Sequence, residues 1–150
     1  MGRMKASVKK TPTRTEYRIL VCGSRDWDDI DLINKHLTKA IVESGHRYPD
    51  ILVITGSTIE ANNGADSLVA TLCLEELGIA CAIFPAPWEA YRRLHGNPRS
   101  AGPTRNSWML RWGRPDLVLA FHPYLPNSRG TKNMCEQARR AGIPVRVIDQ

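Results

Sequence analysis

Residues 50–86 read "DILVITGSTIEANNGADSLVATLCLEELGIACAIFPA". The opening run, 50–56, is apolar and β-branched and stops at Gly56. A short apolar run bounded by glycine predicts a strand buried on both faces. A stretch with helical spacing, 64–78, follows and closes at Gly78, the residue type that commonly ends a helix. A second apolar run, 79–86, completes a strand–helix–strand unit. Strands joined through a helix in this way lie parallel in one sheet.

The same alternation continues on both sides. "YRILVCG" (17–23) reads as a strand, and 29–44 as a helix with apolar residues at 30, 32, 33, 37, 40 and 41. Downstream, "PTRNSWMLRWG" (103–113) has the early proline and late glycine of a helix. "PDLVLAFH" (115–122) is a strand, "GTKNMCEQARRAG" (130–142) a helix and "IPVRVID" (143–149) a strand. The expected fold is α/β: a single Rossmann-like, doubly wound parallel sheet of about five strands with helices on both faces. A strand order of 3-2-1-4-5 with right-handed crossovers puts a crevice between strands 1 and 4.

A chain of 150 residues with 42% hydrophobic and 24% charged residues suits one globular domain. No apolar run reaches the length of a membrane span, and the basic N-terminus lacks the apolar core of a signal peptide. A cytoplasmic protein is expected, with no membrane contact. The net charge of +6 is uneven. Arg3, Lys5, Lys9, Lys10, Arg14 and Arg18 face only Glu16, which leaves about +1 for the remainder. Residues 1–15 read as a disordered basic arm, capable of weak nonspecific contact with nucleic acid, ahead of a domain over 16–150. Cys22, Cys73, Cys81 and Cys135 show no CxxC spacing, and the histidines are scattered. Reduced thiols and no metal site are expected. "CGSRDW" (22–27) lacks the dinucleotide fingerprint, and no cofactor is expected.

The longer connections, 23–28, 57–63, 87–102 and 122–129, fall at the carboxyl ends of the strands, where such sheets bind ligands. Their charges indicate the kind of ligand. Acids normally occupy a helix's first turn, as Asp28, Asp29 and Asp31 do before the first helix. Arg105, Arg129 and Lys132 sit instead where the later two helices begin, and Arg25 follows the first strand. Cations there point to a bound anion such as phosphate, or else extend into water. Asn63 and Asp66 suit an N-cap pair, and Asp66 is as good a capping residue as a ligand contact. Trp88 either stacks on a base or closes the edge of the core. Trp108 and Trp112, at i, i+4 spacing beside Met109 and Leu110, predict an exposed apolar strip and a homo-oligomer, most simply a dimer.

Taken as an ordered set, "VCGSRDW", "GADSLVA", "PAPW", "AGPTRNSWML", "DLVLAF", "SRGTKNM" and "AGIPV" resemble the YspA-type branch of the SLOG superfamily, related to DprA and the LONELY GUY enzymes. The match spans about 17–148, although "STIEANN" stands where relatives have a short Gly-rich turn. The resemblance implies a nucleotide or nucleotide-derived ligand, held by a sensor or a sequestering protein. The contacts it implies, with the charge pattern, are Gly23, Ser24, Arg25, Gly56, Ser57, Gly64, Ala65, Asp66, Trp88, Arg105, Asn106, Ser128, Gly130 and Thr131. LONELY GUY enzymes cleave the N-glycosidic bond of nucleoside monophosphates with the motif PGGxGTxxE. Gly130 and Thr131 match its phosphate-holding pair, but the catalytic Glu position is Met134, which cannot transfer a proton. Glu136 is expected to point away from that position. A phosphoribohydrolase-type enzyme would need Asp26, Asp66 or Glu60 as its acid. A DprA-like single-stranded nucleic-acid binder would use the basic arm.

Overall fold

The computed structural model describes residues 15–86, 88–95 and 101–149. Five strands form one parallel sheet: β1 (Tyr17–Gly23), β2 (Ile51–Thr55), β3 (Ala80–Ile83), β4 (Leu117–Phe121) and β5 (Val145–Ile148). Their order is β3-β2-β1-β4-β5, as the sequence predicts. The helices are α1 (Ile30–Ser44), α2 (Gly64–Thr71, continued as a π-helix over Leu72–Leu77), α3 (Trp88–His95), α4 (Ala101–Gly113) and α5 (Gly130–Arg140). None of these helices is long and apolar enough to cross a membrane.

Alternation along the strands builds two cores. Ile19, Val21, Val53, Leu117, Leu119 and Phe121 face α1 and α2, meeting Ile33, Leu37, Val69 and Leu72. Leu20, Cys22, Ile54, Val118 and Ala120 face the other way and pack with Met109 of α4 and Met134, Cys135 and Ala138 of α5. The sheet is therefore covered on both faces, which is why β2 and β4 read as continuous apolar or β-branched runs.

Two features differ from the sequence-based expectation. Segment 87–102 is not one long loop, because α3 occupies Trp88–His95. Its sequence "WEAYRRLH" has Glu89 in the first turn, paired with Arg92 at 3.4 Å. The prolines and glycines on either side of it obscure this short pattern. In addition, α4 begins at Ala101 rather than Pro103. Arg105 thus lies in the second turn, and the argument from an unfavourable helix dipole does not apply to it. The expected basic arm falls almost wholly on residues 1–14, which lie outside the described residues, as do the side chain of Trp88 and segment 96–100.

Candidate functional site

The carboxyl ends of β1, β2 and β4 open into a cleft of about 1410 Å³. It lies at the β1/β4 boundary, where the winding of the sheet reverses and ligands gather in this architecture. One wall is the turn after β1. Trp27, 5% exposed, anchors that turn by packing edge-on against Phe121 at 5.5 Å between ring centroids. The amide of Ser24 donates to the Phe121 carbonyl at 2.8 Å, and the Ser24 hydroxyl accepts from the Asp26 amide at 3.1 Å. With both ends held, the exposed Arg25 reaches the cleft.

Gly64 and Ala65 support this wall from behind and do not line the cleft. Gly64 adopts φ +58, and a Cβ there would lie 2.5 Å from the Arg25 carbonyl carbon. Only glycine fits that backbone without strain. The Ala65 amide, a free donor in an isolated helix, donates to the Ser24 carbonyl at 3.1 Å. The Ala65 amide at the start of α2 is thus committed to the β1 turn.

Asp66 lies on the cleft floor, 6% exposed. It is not half of an N-cap pair. The Asn63 side chain donates instead to the Ser57 hydroxyl at 2.8 Å, and Asp66 turns inward between the backbones of Gly56 and Gly23. Burial pushes its carboxyl from 3.8 up to about 6, against the opposing pull of Arg105, the Gly56 and Gly23 amides and Arg25. A Cβ on Gly56 would stand 2.7 Å from the Asp66 carboxylate and would also overlap Arg105. The inserted segment 57–63 braces itself: the Asn63 amide donates to the Ser67 hydroxyl, which donates to the Thr58 carbonyl, both at 2.7 Å.

Arg105 crosses the cleft from α4. It donates to the Gly56 carbonyl at 3.0 Å and, through Nε, to Asn106 Oδ1 at 3.1 Å. Asn106 is 3% exposed, and its amide nitrogen bonds both the Gly130 carbonyl and Asn133 Oδ1 at 3.1 Å. Its polar atoms are therefore spent joining α4 to α5, although it forms part of the wall. Ser128 caps α5, its hydroxyl accepting from the Thr131 amide at 2.9 Å. That removes one donor from the helix end that the sequence suggested for phosphate. Among the described residues no protein acceptor bonds the Gly130 or Lys132 amide. Arg129 and Lys132 project beside them.

Of the fourteen residues anticipated from sequence, Gly23, Ser24, Arg25, Gly56, Ser57, Asp66, Arg105, Asn106, Ser128, Gly130 and Thr131 line this one cleft. Met134 is 1% exposed and belongs to the core while touching the cleft floor. Glu136, expected to turn away, is exposed and reaches the cleft rim. Asp26 and Glu60 are exposed outside the cleft, which leaves Asp66 as the floor carboxylate. Cys22 also borders the floor, but burial holds its thiol well above its ordinary value and denies it thiolate character. Sequence reasoning missed His122, at the end of β4. Its Nδ1 accepts from the Tyr124 amide at 3.0 Å, which assigns the ring proton to Nε2. Its place just past an apolar strand was the available signal.

No family model and no solved structure matches the chain. The Gene 61 protein of Mycobacterium phage D29 is 33% identical over 129 residues, covering 85% of this chain and 93% of the phage protein. The chain belongs to the family of that phage protein.

Proposed function

We propose that the cleft binds a nucleotide or a nucleotide-derived ligand, with its phosphate against the start of α5, and that the protein acts as a sensor or sequestering protein in the cytoplasm. The observation that carries this reading is the set of cations lining the cleft into which the N-terminus of α5 opens. Arg25, Arg105, Arg129 and Lys132 line the same cleft as the Gly130 and Lys132 amides. Backbone donors and a positive helix end suit a phosphate, and guanidinium groups add charge-assisted bonds. Thr131 contributes a hydroxyl at that position. The ordered resemblance to the YspA-type SLOG proteins supports the same ligand class. The cleft's volume leaves room for a base and sugar beyond the phosphate. Four free cysteines suit a reducing compartment.

One observation favours a second reading, a phosphoribohydrolase-type enzyme. Asp66, with its carboxyl near 6, is poised to exchange a proton close to neutral pH. Incubation with nucleoside 5′-monophosphates separates the two. Stoichiometric binding without release of free base is expected. Base release at about 1 s⁻¹ or faster, an ordinary enzymatic rate, would establish the enzyme, and Asp66→Asn should then abolish it.

A further inference from the structure

We propose that Cys73 and Cys81 form a reversible disulfide when the protein meets a peroxide, with Cys81 as the attacking thiol and Cys73 as the thiol that closes the bond. Cys73 lies in the π-helical continuation of α2 and is fully buried, whereas Cys81 lies on the edge strand β3 and is half-buried. Cys81 is in register with Val53 of β2, and both pack in the core cluster under α2 that contains Cys73. The chain folds back between the two cysteines. Gly78 turns at φ +66, and the Ile79 amide donates to the Cys73 carbonyl at 2.9 Å. The two thiols are hydrogen-bonded to each other. Joining them needs only a short approach of the sulfurs. In the sheet β3 is held by β2 alone, so its outer side is open to that adjustment.

The surroundings divide the roles between the two thiols. The Cys73 thiol donates to the Cys81 sulfur, which lowers the Cys81 thiol below its ordinary value against the opposing effect of burial. The same bond, together with burial, pushes the Cys73 thiol up. Cys81 is thus the better thiolate and also the sulfur that a small oxidant reaches. Its thiolate attacks the O–O bond of hydrogen peroxide and becomes a sulfenic acid. The hydroxide released takes up the proton that Cys81 gave, forming water. The Cys73 sulfur then attacks the sulfenic sulfur, and the hydroxyl leaves with the Cys73 proton as a second water. Two thiols are oxidised, one peroxide is reduced, and a dithiol reductant reverses the change by exchange. Cys22 and Cys135 lie in the core on the other face of the sheet, where burial holds both thiols above their ordinary value. Among the described residues no third His, Cys, Asp or Glu completes a metal-binding group with Cys73 and Cys81. The bond ties the edge strand to the helix whose first turn brings Asp66 to the cleft floor.

The test is oxidation of the folded full chain with excess hydrogen peroxide, followed by thiol counting and intact mass in denaturant. Titratable thiols should fall by two from the four present. The mass should drop by ~2 Da, and dithiothreitol should restore both values. Cleavage after Glu75 and Glu76, which lie between the two cysteines, should leave the Cys73 and Cys81 peptides linked until reduction. Cys73→Ser should halt at a Cys81 sulfenic acid that a cyclic 1,3-diketone traps. Cys81→Ser should slow oxidation of Cys73 by about tenfold or more. The wild-type peptide map decides the matter even where a variant fails to fold. The proposal is overturned if all four thiols survive the peroxide. It is also overturned if the mapped bond joins Cys22 to Cys135 or links two chains. Conversion of Cys81 to the sulfinic acid while Cys73 stays a free thiol would overturn it as well.

Discussion

Asp66 ties the geometry of the cleft to a measurable pH dependence. In the unfolded chain its carboxyl ionises near 3.8, whereas in the fold it holds its proton to about 6. A folded value above the unfolded one gives stability that is present below about pH 4 and lost as pH rises through about 6. The rise of about two units corresponds to about 3 kcal/mol. The perturbation is Asp66→Asn, which removes the titration while keeping an acceptor for the Gly56 and Gly23 amides. Urea unfolding of both proteins from about pH 4 to about pH 8 gives the comparison. Relative to the variant, the wild type should lose about 3 kcal/mol between about pH 4 and pH 7, then level off. The reasoning is refuted if the difference stays constant, since Asp66 would then titrate alike in both states. A wild type that gains stability over the same range would show that Arg105, not burial, governs the carboxylate.

Three further outcomes follow from single contacts. Arg105→Ala should weaken nucleotide binding by roughly 1.5–3 kcal/mol, as for a charge-assisted contact, and calorimetry on folded variant protein checks it. Met134→Glu should supply no base release, because the side chain lies at 1% exposure in the core; a carboxylate there should lower denaturant stability by several kcal/mol or be forced neutral. Gly64→Ala should cost roughly 1–3 kcal/mol from its positive φ and the lack of space beside Ser24 and Arg25, whereas Gly130→Ala, with nothing within 4 Å of its Cβ position, should be far milder in thermal unfolding.

The architecture was legible because the central strands β2 and β4 are apolar or β-branched along their whole length. Runs such as "ILVIT" and "LVLAF" fit only a sheet covered on both faces, and the crossovers then fix the strand order. Most of the cleft followed, since the fold places every β-to-α connection at one edge. Which polar atoms remain available there was not legible. Ser128 and Asn106 reach the cleft but spend their hydrogen bonds on Thr131, Gly130 and Asn133. Gly64 and Ala65 sit in the motif yet support a loop from behind. The inward turn of Asp66 depends on contacts with Gly23, Gly56 and Arg105, which are remote in sequence, and no local capping pattern encodes it. The helix Trp88–His95 was hidden by its flanking prolines and glycines, which punctuate loops more strongly than eight residues signal a helix.

The central claim is that the cleft recognises a phosphate carried by a nucleoside. Isothermal calorimetry of the full chain with nucleoside 5′-monophosphates, the matching nucleosides and inorganic phosphate tests it most directly. The account predicts saturable binding of at least one nucleotide, weakened by Arg105→Ala, with its nucleoside bound at least tenfold less tightly, a difference of about 1.4 kcal/mol or more. A nucleoside binding as well as its nucleotide would contradict the phosphate site at α5. No heat from any nucleotide in the panel, from protein confirmed to be folded and free of co-purified ligand by native mass spectrometry, would contradict the claim as a whole.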